Sequence, residues 1–169
     1  MKIFGVAGRS GSGKTTLLAR LIPWMKQRGL TISTVKQAQE AFDVDKPGKD
    51  SYQHREAGAT EVMIASARRW ALMHEYRDQA EFSMEELLAR MSPVDLVLVE
   101  GFRRWPHPRL EVWRHSVGKA PFFPEDPLVV AVASDAPLSD HGFPDCPLPQ
   151  VDLADTASIG RLILERSGL

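Results

Sequence analysis

The sequence contains one cysteine, Cys146, so it can form no internal disulfide and no cysteine-based metal site. It also lacks a dominant charge: 21 Lys and Arg stand against 22 Asp and Glu, a formal net charge of -1. General nucleic-acid binders look clearly basic, so no nucleic-acid partner is expected. No run approaches the roughly 20 apolar residues that span a bilayer, and no membrane partner is expected either. After Lys2, a short run from Ile3 to Ala7 passes straight into a glycine loop. That leaves no space for a signal peptide and, with the lone thiol, points to the cytoplasm. Internal repeats and low-complexity tracts are missing too. The histidines (His54, His74, His107, His115 and His141) show no close metal-site spacing, and each reads as a surface or packing residue.

What is present is an ordinary globular composition, 43% hydrophobic and 25% charged over 169 residues. That length suits a single domain over 1–169. Short β-branched runs alternate with helical patterns, the signature of an α/β fold whose mostly parallel sheet is flanked by helices. The clearest strands are 2–7, 31–35, 95–99 and 128–133, with shorter candidates at 61–65, 71–74 and 110–114. The last alternates in polarity and reads as an edge or antiparallel strand. Helices are expected over 14–28 with a kink at Pro23, over 52–57 capped by Asp50 and Ser51, from Ser83 to near Met91 behind a capping box, and at the C-terminus behind Asp155. The proline-rich stretch 137–149 must be irregular.

The chemistry starts at Gly8-Arg9-Ser10-Gly11-Ser12-Gly13-Lys14-Thr15, which fits G-x-x-x-x-G-K-[ST] between a strand and a helix. Glycines let successive N–H groups turn inward as an anion nest, and the helix start adds its positive end. Gly8, Ser10, Gly11, Ser12 and Gly13 would line a triphosphate. Lys14 would reach its β- and γ-phosphates, Thr15 would bind Mg²⁺, and Thr16 would bond the α-phosphate. A second acidic group should support the magnesium water shell. Glu100 closes the apolar run Leu96-Val97-Leu98-Val99 at the strand's carboxyl end, where ligands of open parallel sheets sit. Asp95, about 16 Å earlier at strand rise, belongs to the opposite edge.

Three other features bear on function. Asp43, Asp45, Lys46, Gly48, Lys49, Asp50 and Ser51 form a charged Pro-Gly segment. It reads either as a switch-like loop sensing the γ-phosphate or as a polar surface turn. Asp135, after the last long strand, can accept two N–H bonds from a guanine base or cap a turn. Arg103, Arg104, Arg109 and Arg114 surround Trp105 and Trp113, either as a basic, aromatic face or as a solvated edge strand.

With those residues in view, the chain resembles the MobB family, the adapter proteins of molybdopterin-guanine dinucleotide biosynthesis. The likeness rests on GKTTLL in the loop, DVDKPGKDSYQHREAGA, RWALMHE and DLVLVEGFRRWPHPRLEVWR. It implies a P-loop fold, GTP with Mg²⁺, weak hydrolysis and a homodimer. It also implies work beside the molybdenum cofactor guanylyltransferase, with molybdopterin or its guanine dinucleotide as a candidate ligand. It tilts the 43–51 segment towards function. One departure stands out: where the family commonly shows histidines after Lys36, this chain has Gln37-Ala38-Gln39-Glu40. Glutamine neither titrates near neutrality nor ligates Zn²⁺ well, so no metal is expected there. Two alternatives use the same loop. A small-molecule kinase would need 103–114 as an arginine lid, and a metallochaperone GTPase is disfavoured by the scattered histidines.

Overall fold

The computed structural model describes residues 1–38 and 42–169; Gln39 and Glu40, named above, lie outside them. The chain separates into two compact units, Met1–Gln37 with Ser92–Leu169, and Ala38–Met91.

The first unit is built on six parallel strands in the order β2-β5-β1-β6-β7-β8. These are β1 (Lys2–Ala7), β2 (Ile32–Lys36), β5 (Leu96–Glu100), β6 (Arg109–Trp113), β7 (Val129–Ser134) and β8 (Gln150–Asp152). Helices α1 (Lys14–Lys26) and α4 (Thr156–Ser167) pack on one face. There, Phe4, Val6, Leu98, Leu110, Val112 and Ala133 meet Leu17, Leu21, Met25, Ile159 and Ile163. Both helices earn their place by pattern: their buried residues recur at three- and four-residue spacing. Asp155 caps α4 as expected, its carboxylate accepting the Ser158 N–H at 2.9 Å. Pro23 lies inside α1, and Gly29 follows the helix with φ 82°.

The opposite face is covered by irregular chain, including a 3-10 turn over Leu138–His141 and the segment that follows it. Parallel β strands normally need cover on both faces, and here loops supply half of it. Strand β6 corrects the expectation of an edge or antiparallel strand: it lies between β1 and β7, parallel to both. All five of its residues are buried. Its alternation is real, but the polar side chains face the loop-covered side and bond there to backbone. Strand β8 was not expected; it is three residues long and follows directly on the prolines.

The second unit holds α2 (Asp50–Glu56), the hairpin β3 (Glu61–Ala65) and β4 (Trp70–His74), and α3 (Met84–Leu88). The hairpin is antiparallel, with Met63 opposite Leu72 and Ala65 opposite Trp70. The capping box is present: Ser83 Oγ accepts the Glu86 N–H, and the Glu86 carboxylate accepts the Ser83 N–H. Helix α2 departs from expectation. It begins at Asp50 after Lys49 and has no side-chain cap, so Asp50 and Ser51 lie inside the first turn. Among the described residues, no helix is long and apolar enough to cross a membrane.

Candidate functional site

The loop between β1 and α1 has the geometry its glycines require. Gly8, Gly11 and Gly13 all have positive φ, at 145°, 82° and 98°, a region closed to most side chains. Gly8 also allows a close approach, since a Cβ there would collide with the Val112 carbonyl and sit 2.6 Å from Ser12 Oγ. Ser12 itself is fully buried and its hydroxyl has no partner among the described residues. Lys14 folds back across the loop, its Nζ donating to the Gly8 and Arg9 carbonyls at 3.0 and 3.1 Å. No side chain caps the first turn of α1, so its free N–H groups converge with the lysine charge. Thr15 and Thr16 are exposed on that turn, and Ser10 is exposed at the loop's crest.

Glu100 ends β5, in register with Val6 of β1 and Lys36 of β2. It therefore stands at the same sheet edge as the loop. Among the described residues no side chain bonds its carboxylate. Asp95 is at the opposite end, as expected, accepting the Thr31 N–H and hydroxyl at 2.8 and 2.6 Å. Those bonds, the hydroxyl's first, hold its pKa below the ordinary carboxylate value. The chain after Glu100 turns through two left-handed residues, Gly101 (φ 91°) and Phe102 (φ 49°). Gln37 Oε1 accepts the Phe102 N–H at 2.8 Å, and the Gln37 N–H donates to the Glu100 carbonyl at 2.9 Å. The Gln37 amide is thus a backbone clamp on the turn beyond Glu100.

Asp135 follows β7 and lines a cavity of about 360 Å³ with Ser134, Ala136, Pro137, Gln150, Val151 and Asp152. The cavity opens at the carboxyl ends of β7 and β8, the ligand edge of a parallel sheet. Its two carboxylates are acceptors, and Ser134 Oγ is turned onto the Ala136 carbonyl. Such a lining favours a base edge rich in N–H donors.

Of the four arginines, Arg103 and Arg104 are exposed. Arg109 is 1% exposed; its guanidinium donates to the Arg103, Trp105 and His107 carbonyls and lies 3.5 Å from Asp126. Burial, outweighing Asp126, pulls its pKa down. Trp113 is buried as well, its Nε1 donating to the Lys119 carbonyl. Arg103 and Arg9 flank the Phe122 ring at 3.8 and 4.1 Å. Arg109 is therefore held inside the fold and is not available to an arginine lid. Arg114 goes elsewhere: its Nε donates to the Ser12 carbonyl at 3.1 Å, and its Nη1 is 3.4 Å from Asp135.

Two ionisable groups in and just before β6 are buried: Glu111, which sequence reading missed, and His107, read as a surface or packing residue. Glu111 accepts the Phe122 and Phe123 N–H groups at 2.7 and 2.9 Å, yet burial raises its pKa above the usual range. His107 sits where Gly5 leaves room, since a Cβ on Gly5 would be 2.6 Å from its Nε2. Burial, and then the Arg109 charge, lower its pKa.

The charged segment belongs to the second unit. Arg55 of α2 gathers Asp43 at 2.8 Å and Asp45 at 3.0 Å, so those two carboxylates organise the turn around Gly48 (φ 83°). Lys46, Lys49 and Asp50 are exposed, and Ser51 is half-buried. Among the described residues, no group of three His, Cys, Asp or Glu could hold a metal ion.

The sequence profile described as MobB, molybdopterin guanine dinucleotide synthesis protein B, matches residues 3–135. The molybdopterin-guanine dinucleotide biosynthesis adapter protein of Escherichia coli (strain K12) is 44% identical over 140 residues, covering 81% of this chain and 80% of its own length. The adapter protein of Haemophilus influenzae (strain ATCC 51907 / DSM 11121 / KW20 / Rd) is 40% identical over 137 residues, covering 80% and 76%. The crystal structure of Bacillus subtilis MobB superposes with a TM-score of 0.75 at 22% identity, over 99% of this chain and 98% of that one. At that identity the superposition speaks for the fold.

Proposed function

We propose, from the premise that this chain belongs to the MobB family of molybdopterin-guanine dinucleotide biosynthesis adapter proteins, that it performs its adapter role as a GTP-binding protein. The observation that carries the nucleotide reading is Lys14, folded onto the Gly8 and Arg9 carbonyls at an uncapped helix start. A primary ammonium held over its own loop is poised to exchange those carbonyls for phosphate oxygens. The residues present suit the group: a glycine cradle, free helical N–H groups, and a half-enclosed cavity beside Asp135. Gly8, Ser10, Gly11, Ser12 and Gly13 would surround the phosphates with Lys14 and Thr16. Thr15 and Glu100 would hold Mg²⁺ with its water, and Asp135 would accept N–H groups of guanine.

Within this reading hydrolysis is slow, because no residue is assigned to orient an attacking water. The chain works in the cytoplasm, as a homodimer, beside the guanylyltransferase. Lys46, Lys49, Asp50 and Ser51 remain the accessible part of a ligand-responsive loop.

Isothermal titration in Mg²⁺ tests the core of this. GTP binds and ATP binds at least tenfold more weakly; equal or reversed affinities overturn the guanine preference. Lys14→Ala weakens GTP by about 100-fold, the scale of roughly 3 kcal/mol for a charged donor on phosphate. Undiminished affinity in that variant overturns the phosphate role of the loop.

A further inference from the structure

We propose that Arg114 is a positioning residue that couples recognition of the base at Asp135 to the phosphate loop at Ser12–Gly13; this rests on the guanine reading given above. Strand β6 lies between β1, which leads into the loop, and β7, which leads to Asp135. The residue that follows β6 is the one that can reach both. Arg114 does so with separate nitrogens of one rigid fork: Nε on the Ser12 carbonyl at 3.1 Å and Nη1 at 3.4 Å from Asp135 Oδ2. Its guanidinium also lies over Gly13, where a Cβ would be 3.5 Å from Nη2.

Two physical arguments give this arrangement a purpose beyond folding. The pair is open to solvent, the side chains being 39% and 40% exposed, and ion pairs so exposed contribute little to stability. The guanidinium also rests beside Gly13 at the positive end of α1, where a cation alone is disfavoured. An anion bound at the loop reverses that repulsion. A base that donates N–H groups to Asp135 fixes the carboxylate, the carboxylate fixes Arg114, and Arg114 holds the Ser12 carbonyl away from the phosphates. The peptide between Ser12 and Gly13 is thereby fixed, and with it the direction of the Gly13 N–H. Lysine's ammonium carries donors enough for both partners but no rigid fork, so it meets them without fixing their spacing.

The test measures affinities for GTP, ITP and inorganic tripolyphosphate in Mg²⁺, using the full chain. ITP lacks the 2-amino group, and tripolyphosphate lacks the base. The proteins are wild type, Asp135→Ala, Arg114→Ala, Arg114→Lys and the double alanine variant, with unfolding midpoints recorded for each. Asp135→Ala is expected to erase the preference for GTP over ITP and to leave tripolyphosphate unchanged. Arg114→Ala is expected to cut that preference by about tenfold, to weaken tripolyphosphate as well, and to add nothing further to the preference lost in the double variant. Arg114→Lys is expected to recover tripolyphosphate binding without the full preference. If Arg114→Ala affects neither quantity, or only one of them, while Asp135→Ala erases the preference, the coupling is overturned and the guanine reading stands. If the preference survives Asp135→Ala, the base reading itself is overturned.

Discussion

His107 and Glu111 sit two residues either side of Arg109, both buried, and burial acts on them with opposite consequences for stability. A histidine whose folded pKa lies below its ordinary value takes up its proton in the unfolded chain first. Its contribution is present above the unfolded value of about 6.5 and is lost as pH falls through the lowered folded value. His107 is such a group. For Glu111, the raised folded pKa means that the folded state binds the proton first. Its contribution is fully present below the ordinary carboxylate value and is lost as pH rises through the raised one. Urea unfolding between about pH 7 and pH 5 should therefore show a shallower acid loss in His107→Phe than in the wild type. An unchanged slope would remove His107 as the titrating group. Glu111→Gln should cost about 1–3 kcal/mol at neutral pH, because one of two buried N–H donors then faces an amide nitrogen. It should also abolish the component of stability that grows on acidification; urea midpoints across the same series measure both.

At the scale of elements, the loop after β1 was legible because its spacing, its glycines and its strand–helix context are dictated by one local requirement. A loop that curls its N–H groups inward needs positive φ, and only glycine supplies it cheaply. The structure ranks those glycines. Gly8 combines φ 145° with contact to Val112 and Ser12, while Gly11, at φ 82°, has open space around it. Gly8→Ala should thus cost more than Gly11→Ala, about 2–3 kcal/mol against about 1 kcal/mol, read as paired thermal or urea midpoints. Equal losses would mean that the approach to Val112 is not tight in solution. Strand β6 was misread for a complementary reason. Arg109 and Glu111 look like a wet face because charged side chains usually are. Here their partners are backbone groups of loops 101–108 and 115–126, which no periodicity reveals. The same long-range bonding hid Arg114's link to Ser12, 102 residues away, and Gln37's hold on Phe102. Local chemistry was visible in the sequence; contacts between distant segments were not.

For the molecule as a whole, the two compact units differ in what they leave uncovered. In the first, the six strands are faced by helices on one side and by irregular chain on the other. In the second, the hairpin turns Met63 and Trp70 outward at 62% and 65% exposure, with Leu72 beside them at 43%. Strand pairing puts Met63 across from Leu72 and Ala65 across from Trp70, so these side chains share one face of the hairpin. A two-stranded sheet is marginal on its own in water, and a clustered apolar face of this kind marks an interaction surface more often than a solvated one. The proposed homodimer offers it a partner, since a two-fold interface brings the same patch from each copy together. Sedimentation equilibrium at micromolar concentration should give twice the chain mass for the wild type. Met63→Glu combined with Trp70→Glu should shift it to the chain mass while leaving the proposed GTP binding at the Lys14 loop in place. A dimer that persists in the double variant would locate the interface elsewhere, and a wild-type monomer would overturn the homodimer itself.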